Sequence, residues 1–171
     1  VAALIGTCTA IEAVDEAAGQ HRRHGEGEEG HGQGQGDAEA PRHVLELGVP
    51  LVGEGDRRGA LEALIRELAL EGRVHLLGEV PDAVRLVAAA DLFVMSSAME
   101  GLGTSVLDAM ALGIPVVGTA AGGIPELLHG GAGRLVPPRD PAALADAVLS
   151  VLENPEARAA QVARAREAVR R

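Results

Sequence analysis

Two consecutive strand–loop–helix units within residues 91–126 constrain the fold of this chain more than any other feature of its sequence. In each unit, a short apolar run of strand length is followed by a glycine-rich loop and then by a helical pattern. The first unit predicts a strand over residues 91–96 and a helix over residues 104–112. The second predicts a strand over residues 114–118 and a helix over residues 126–129. Successive units of this kind predict a parallel sheet that binds its ligand at the carboxyl edge.

The chemistry of these loops favours an elongated polar ligand that carries negative charge. Glycine lets the backbone approach a ligand closely, and the first amides of a helix can receive an anion because they have no intrahelical acceptor. Glu100 precedes the first glycine loop, and Asp108 follows about two helical turns later. Two acids with donor amides between them suit a ligand made of a sugar, a diphosphate and a ribose. The alternative is that Glu100 is a solvated loop acid and Asp108 an exposed helix residue.

The ordered motif in this stretch resembles the nucleotide-sugar-binding half of the retaining GT-B glycosyltransferases of family 4. The motif comprises Glu100, Gly101, Gly103, Asp108, Ala109-Met110-Ala111, Gly113, Pro115-Val116-Val117 and Gly122-Gly123-Ile124-Pro125-Glu126. The similarity extends over about residues 51–171. It implies an α/β fold, a Rossmann-like three-layer parallel sheet with helices on both faces, which is one half of a GT-B fold.

The resemblance also implies a role for each position of the motif. Glu100 corresponds to the catalytic-site acid that holds the donor sugar, and Asp108 to the acid that binds the ribose diol. Family members usually carry Glu at the second position, so the shorter Asp108 side chain weakens or moves that contact. The other implied donor-binding residues follow predicted strands: Gly53, Glu79, Val80, Gly101, Leu102, Gly103, Thr104, Gly122 and Gly123. The turn that holds Glu79 and Val80 is where a nucleotide base would lie against the backbone.

A nucleotide sugar is the partner that the resemblance implies, with UDP-, GDP- and ADP-sugars as alternatives. No metal or other cofactor is expected, because cations and amides neutralise the leaving diphosphate. Family members supply those cations as an Arg and a Lys-Gly in the first loop of the domain, where this chain has Gly6-Thr7-Cys8. Arg22 and Arg23 would replace them if their segment folds back over the site. The spacing of the nearby histidines, His21, His24 and His31, fits no defined metal site.

Composition divides the chain into three segments. Residues 1–19 predict a first strand and helix that are atypical of the family. Residues 20–43 contain no Leu, Ile, Val, Met or Phe, so they are predicted to form a low-complexity loop or linker. A shifted reading frame over about residues 6–45 is the alternative explanation of this segment. Residues 44–171 predict the donor-binding Rossmann-like domain.

Proline and capping residues mark several elements of that domain. A strand is predicted over residues 44–52, and Pro50 would either split it or confine it to an edge, because proline donates no ladder hydrogen bond. Asp82, Asp140 and Asn154 each precede a helical pattern and are predicted to cap it.

Net charge and cysteine content limit the possible binding partners and the cellular compartment. The net charge of −10 argues against nucleic acid as a partner. The single cysteine, Cys8, excludes an intrachain disulfide and fits a reducing compartment. We therefore expect a cytoplasmic location, with peripheral association at the inner membrane as an alternative.

Three functions fit these observations. The first is the donor half of a retaining glycosyltransferase, inactive alone because the amino-terminal acceptor domain of a GT-B enzyme is missing. The second is a non-catalytic nucleotide-sugar-binding module, which the altered first loop favours. The third is an inactive domain fragment whose exposed cleft is buried in a homo-oligomer.

Overall fold

The computed structural model describes residues 3–6, 48–98 and 101–170, and of residues 3–6 it describes the backbone alone. The described strands are β1 (Ala3–Gly6), β2 (Val49–Val52), β3 (Val74–Gly78), β4 (Leu92–Met95), β5 (Val116–Thr119) and β6 (Arg134–Val136). They form one sheet in the order β3-β2-β1-β4-β5-β6, and every neighbouring pair is parallel. The helix and the linker predicted before residue 44 lie outside the described residues, so the three-segment division stays a prediction.

Helices cover both faces of this sheet. They are α1 (Arg58–Glu67), α2 (Ala83–Ala88), α3 (Thr104–Leu112), α4 (Ile124–Leu127), α5 (Pro141–Glu153) and α6 (Pro155–Val169), with a 3-10 turn at His129–Gly131. Alternate β4 side chains face opposite ways, as they must in a strand. Phe93 and Met95 pack with buried residues of α2, α3 and α6, whereas Leu92 and Val94 pack with α5. The predicted Rossmann-like three-layer fold is confirmed.

The second strand–loop–helix unit is shifted relative to its prediction. β5 begins at Val116 rather than at Ile114, because the Ile114 amide donates 2.9 Å to the Ala109 carbonyl and so completes the end of α3. α4 spans Ile124–Leu127 rather than residues 126–129, and it has a proline in its first turn, where the missing N–H is not needed.

Pro50 lies in an internal strand, so both structures predicted for its segment are wrong. β2 pairs with β3 on one side and with β1 on the other, and it runs unbroken through Pro50. The Val49 amide donates 2.6 Å to the Arg73 carbonyl on the β3 side. Because successive strand amides point to opposite sides, the missing Pro50 donor falls on the β1 side. The β1–β2 register starts one residue later, at Ile5 and Leu51, so the ladder loses no donor there.

Two of the three predicted caps are confirmed. The Asp140 carboxylate accepts a hydrogen bond of 2.9 Å from the Ala143 amide, and the Asn154 side chain accepts one of 3.0 Å from the Ala157 amide. Asp82 makes no side-chain cap hydrogen bond. Its carboxylate instead pairs with Arg85 at 3.3 Å, one turn into α2, and this prediction was wrong.

The last helix is held to the sheet and to α3 by polar side chains that reach backbone carbonyls. Gln161 is buried and donates 2.6 Å to the Val116 carbonyl at the start of β5. Arg166 donates 3.2 Å to the Leu112 carbonyl at the end of α3. Its guanidinium fills the space above Gly113, a residue with a φ of +77°. These contacts fix α6 across α3, the helix that follows the first glycine loop.

Candidate functional site

The carboxyl edge of the sheet gathers the described residues that the sequence predicts for the site. β2, β3, β4 and β5 are parallel, so the loops that follow them leave the sheet at the same edge. The strand order reverses between β1 and β4, which is the switch point where open parallel sheets bind ligands. Glu100 lies outside the described residues. The predicted site residues at this edge are Gly53, Glu79, Val80, Gly101, Leu102, Gly103, Thr104, Asp108, Gly122 and Gly123.

The β4–α3 loop (residues 96–103) ends in a glycine that both backbone geometry and packing require. Gly103 has a φ of +65°, in the left-handed region that other residues rarely adopt. It is buried, and a Cβ added to it would lie 3.2 Å from Cδ1 of Leu127 and 3.7 Å from Cγ1 of Ile124. A Cβ added to Gly101 would have no atom within 4 Å. Gly103 therefore allows the loop to pack closely against α4, whereas the described surroundings of Gly101 leave room for a side chain.

The β5–α4 loop (residues 120–123) is joined directly to the β4–α3 loop. The Gly123 amide donates 3.1 Å to the Gly101 carbonyl. A Cβ added to Gly123 would lie 3.0 Å from that same carbonyl oxygen, so the two backbones are close enough to favour glycine. Gly122, with a φ of +54°, makes the bend before this contact. The Gly123 N–H is therefore already engaged by the neighbouring loop.

Buried hydroxyl groups lie at the start of the β4–α3 loop and at the end of β5. Ser96, Ser97 and Thr119 are 3%, 6% and 3% exposed, although they directly follow or end strands at the edge of the sheet. The Thr119 hydroxyl lies 2.5 Å from the Ser97 carbonyl and 3.3 Å from the Met95 carbonyl, and it is the donor. Sequence reasoning missed Thr119; the available signal was a hydroxyl residue directly after the apolar run at Val116-Val117-Gly118.

Helix α3 presents its first turn at the same edge. The Val106 and Leu107 amides donate to the Gly103 carbonyl at 2.9 and 3.4 Å. The preceding amides, those of Thr104 and Ser105, have no carbonyl one turn back within the helix. Thr104 and Asp108 are exposed and four residues apart, so they share one face of the helix. That face combines an amide terminus with a carboxylate one turn away, which suits an anion attached to hydroxyls.

Leu102 stands out among the apolar residues of this edge. Its side chain is 80% exposed, more than any other large hydrophobic residue of the described chain. It lies between Gly101 and Gly103 at the tip of the β4–α3 loop, so an apolar group projects beside the predicted donor contacts.

The carboxyl ends of β2 and β3 lie on the opposite side of the switch point from β4 and β5. The Gly53 amide donates 2.8 Å to the Gly78 carbonyl, which ties the two strand-end loops together. The Glu54 carboxylate lies over Gly78 and pairs with Arg58 at 3.3 Å. Arg58 also donates 3.4 Å to the Leu76 carbonyl. Glu79 is exposed, whereas Val80 packs against the core and so holds the turn after β3 against the domain.

The described residues contain neither a cluster of metal-ligand side chains nor a helix suited to cross a membrane. No group of three or more His, Cys, Asp or Glu side chains there is arranged to hold a metal ion. Among those same residues, no helix has the length and apolar character that a membrane crossing requires.

This parallel sheet, with glycine loops at its switch point, defines a Rossmann-like α/β domain. A family model described as glycosyl transferases group 1 matches residues 38–154. The chain belongs to this family, and its fold is that of a GT-B glycosyltransferase domain.

Curated relatives agree with this assignment. The chain is 38% identical over 120 residues to the N-acetyl-alpha-D-glucosaminyl L-malate synthase of Bacillus anthracis, a match that covers 70% of this chain and 32% of the relative. It is 34% identical over 119 residues to a GDP-mannose-dependent monoacylated alpha-(1-6)-phosphatidylinositol monomannoside mannosyltransferase of Corynebacterium glutamicum, covering 63% of this chain and 31% of the relative. The chain thus spans about a third of the length of these relatives.

Solved structures share the fold. HepE of Anabaena, crystallised with UDP and glucose, superposes with a TM-score of 0.73 at 25% identity, covering 98% of this chain and 43% of HepE. The C-terminal domain of a group 1 family protein, LpcC of Francisella tularensis, has a TM-score of 0.73 at 20% identity. That match covers 99% of this chain and 84% of the LpcC domain, and it concerns the fold alone.

Proposed function

We propose that this chain is the donor-binding half of a retaining glycosyltransferase and binds a nucleotide diphosphate sugar at the carboxyl edge of its sheet. The observation that carries the proposal is the joined pair of glycine loops at the switch point. The Gly123–Gly101 hydrogen bond joins these loops, which follow β4 and β5, and the first of them leads into α3. Backbone amides and an exposed carboxylate then lie at one edge, as a ligand with phosphates and hydroxyls requires.

Similar proteins support a nucleotide sugar as the ligand. HepE has been crystallised with UDP and with UDP-glucose, and the Corynebacterium relative is named as dependent on GDP-mannose. The base thus differs among proteins with this fold, so for this chain UDP-, GDP- and ADP-sugars are all to be tested.

We propose that different residues of the carboxyl edge bind different parts of the ligand. Glu100 holds hydroxyls of the donor sugar, the first amides of α3 bind the diphosphate, and Asp108 accepts hydrogen bonds from the ribose. The base lies on the backbone turn at Glu79 and Val80. The contacts of the diphosphate with the amides lower the energy of the charge that develops as it leaves. No metal is part of the proposal.

Transfer also needs an acceptor. In the proposed reaction, the acceptor hydroxyl attacks the anomeric carbon from the face that the diphosphate leaves, so the configuration of the sugar is retained. We propose that a separate acceptor-binding domain presents that hydroxyl, since the contacts proposed for this chain are all to the donor. We therefore propose that the isolated domain binds the donor but transfers nothing until that domain is added. The proposed location is the cytoplasm, or the inner membrane through peripheral association.

A calorimetric titration tests the proposal. The panel contains UDP, GDP and ADP together with their glucose or mannose conjugates. We expect one base to bind with a dissociation constant of micromolar order, about −8 kcal/mol. Glu100→Ala should weaken the sugar conjugate more than the free nucleotide, whereas Glu153→Ala, an exposed acid at the end of α5, should change neither. Absence of binding across the panel would refute the proposed function.

A non-catalytic nucleotide-sugar-binding module is the second candidate, and one observation favours it. Residues 6–8, Gly6-Thr7-Cys8, include no cation, although the family resemblance implies an Arg and a Lys-Gly there. A donor would then bind, but the leaving diphosphate would lack part of its stabilisation. Turnover measured with an added acceptor domain separates the two candidates: product formation supports the transferase, and binding without product supports the module.

Self-association into a homo-oligomer accompanies the third candidate, the inactive domain fragment. A domain whose cleft is evolved to face another domain can bury that cleft against a second copy. Light scattering over a range of concentrations tests this: a mass that rises above the 17.4 kDa of one chain supports it, and a constant monomer mass excludes it.

A further inference from the structure

The Thr119 hydroxyl connects β5 to the chain that leaves β4, beyond the point where the β4–β5 backbone ladder ends. The β4–β5 register runs from Phe93 and Val116 to Met95 and Gly118. Thr119 is the next residue of β5, and its hydroxyl lies 2.5 Å from the Ser97 carbonyl. It also lies 3.3 Å from the Met95 carbonyl. A side chain thus binds the segment that leaves β4, at the start of the β4–α3 loop.

Burial makes this hydrogen bond consequential. Thr119 is 3% exposed and Ser97 is 6% exposed, so water does not readily replace the hydroxyl as a donor. If the hydroxyl is removed, the Ser97 carbonyl loses a buried partner, which costs more than the loss of an exposed hydrogen bond. We expect the loop to move so that the Ser97 carbonyl becomes accessible to solvent.

The loop is attached at two further points, and each lies on the other side of Glu100. Gly101 accepts from the Gly123 amide at 3.1 Å, and Gly103 packs against Leu127. Thr119 provides an attachment before Glu100, and these two contacts lie after it. All three connect the β4–α3 loop to β5 or to the α4 segment that follows β5.

We propose that Thr119 is a positioning residue for donor binding: its buried hydroxyl fixes the β4–α3 loop in the conformation that receives the nucleotide sugar. This inference rests on the proposed function. Thr119 is 3% exposed, and we assign it no direct contact with the ligand. Its effect on binding passes through the Ser97 carbonyl and the loop.

Two substitutions separate the hydroxyl from the shape of the side chain. Thr119→Val keeps the β-branched shape and removes the donor, whereas Thr119→Ser keeps the donor and removes a methyl group. Amide hydrogen exchange of the full chain, read in peptides over residues 96–104, measures the loop directly and needs no ligand. We expect exchange about tenfold faster in Thr119→Val, the factor for the loss of one buried hydrogen bond, and exchange close to wild type in Thr119→Ser.

Titration of the same proteins with UDP-glucose and GDP-mannose measures the consequence for binding. The ligand that binds the wild-type chain should bind Thr119→Val about tenfold more weakly, and Thr119→Ser should restore its affinity. Restoration by serine distinguishes positioning by the hydroxyl from a loss of packing, because Thr119→Ser loses more packing than Thr119→Val.

Hydrogen exchange tests the role of Thr119 without a ligand, so its result does not depend on the proposed function. Faster exchange confined to the loop in Thr119→Val supports it. Unchanged loop exchange, or an equal increase throughout β4 and β5, overturns it, because the first shows no effect on the loop and the second shows only general destabilisation. If the wild-type chain binds neither sugar nucleotide, the proposed function fails for both ligands, and the exchange result still decides whether Thr119 positions the loop.

Discussion

The Gly123 amide donates a hydrogen bond of 3.1 Å to the Gly101 carbonyl and thereby joins the two glycine loops of the carboxyl edge. These residues lie 22 positions apart in the sequence, on loops that follow neighbouring parallel strands. The contact uses a backbone donor and a backbone acceptor, so it depends on how closely the chains approach rather than on a side chain. Any group that separates the loops should disturb the proposed donor site.

Gly123→Ala tests this contact. The added Cβ would meet the Gly101 oxygen at 3.0 Å, so the loops must move apart by a few tenths of an ångström. We expect donor affinity to fall about tenfold, because binding geometry tolerates little displacement. Calorimetric titration provides the measurement.

The matched control is Gly59→Ala, on α1, where an added Cβ has no atom within 4 Å. Its donor affinity should equal that of the wild-type chain. Equal affinities for Gly123→Ala and the control would show that the joined loops do not shape the site.

Gly103→Ala should destabilise the fold as well as the site. A φ of +65° strains any residue with a Cβ by about 1–2 kcal/mol, and the added methyl would also press on Leu127. Denaturant unfolding measures the loss. Gly101→Ala, which meets no atom within 4 Å, should stay within about 0.5 kcal/mol of the wild type. Equal stability of the two variants would contradict the packing described for Gly103.

Asp108→Ala should weaken nucleotide binding through the ribose. A hydrogen bond to a charged group contributes about 1.5–3 kcal/mol, so affinity should fall about tenfold or more. Asp108→Glu, which supplies the acid usual in the family, should bind at least as well as the wild type. Asp146→Ala, an exposed acid on α5, serves as the control and should leave affinity unchanged.

The 2′-deoxy form of the nucleotide tests the same contact from the ligand side. Wild-type chain should bind it more weakly than the ribonucleotide, and Asp108→Ala should bind both forms equally. A full preference for the ribonucleotide in Asp108→Ala would remove this residue from the ribose contact.

Gln161→Leu should destabilise the chain without changing the site loops directly. Gln161 is 8% exposed and donates 2.6 Å to the Val116 carbonyl, so leucine leaves a buried acceptor unpaired at a loss of about 1–3 kcal/mol. Arg170→Ala, at the exposed end of α6, should lie within about 0.5 kcal/mol of the wild type. Thermal or denaturant unfolding compares them, and no difference would mean that this hydrogen bond does not hold α6 in place.

Local signals in the sequence predicted much of this fold. The bounds of α3 match their prediction, since a glycine precedes the helix and Gly113 ends it in the left-handed conformation. Asp140 and Asn154 cap their helices, and each is followed by proline at the first helical position, a second local signal of a helix start. Asp82 lacks that arrangement and pairs with Arg85 instead, so residue type alone was a weaker signal.

Features that depend on distant parts of the chain were not predicted. The position of Pro50 in an internal strand depends on where the β1–β2 ladder begins, which no local pattern indicates. Thr119 and Ser97 are likewise separated by 22 residues and meet only because β4 and β5 are neighbours. The motif predicted which loops form the candidate site, while the contacts that hold those loops together required the structure.

A donor site at the carboxyl edge is tested directly by an amide chemical-shift map of the chain titrated with UDP-glucose, GDP-mannose and ADP-glucose. One of these ligands should perturb the amides of residues 101–105, Asp108 and Gly122. It should also perturb the turn at Glu79 and Val80. The amides of α5, on the opposite face of the sheet, should not respond. Perturbations confined to another surface, or none with any of the three ligands, would contradict a donor site at the carboxyl edge.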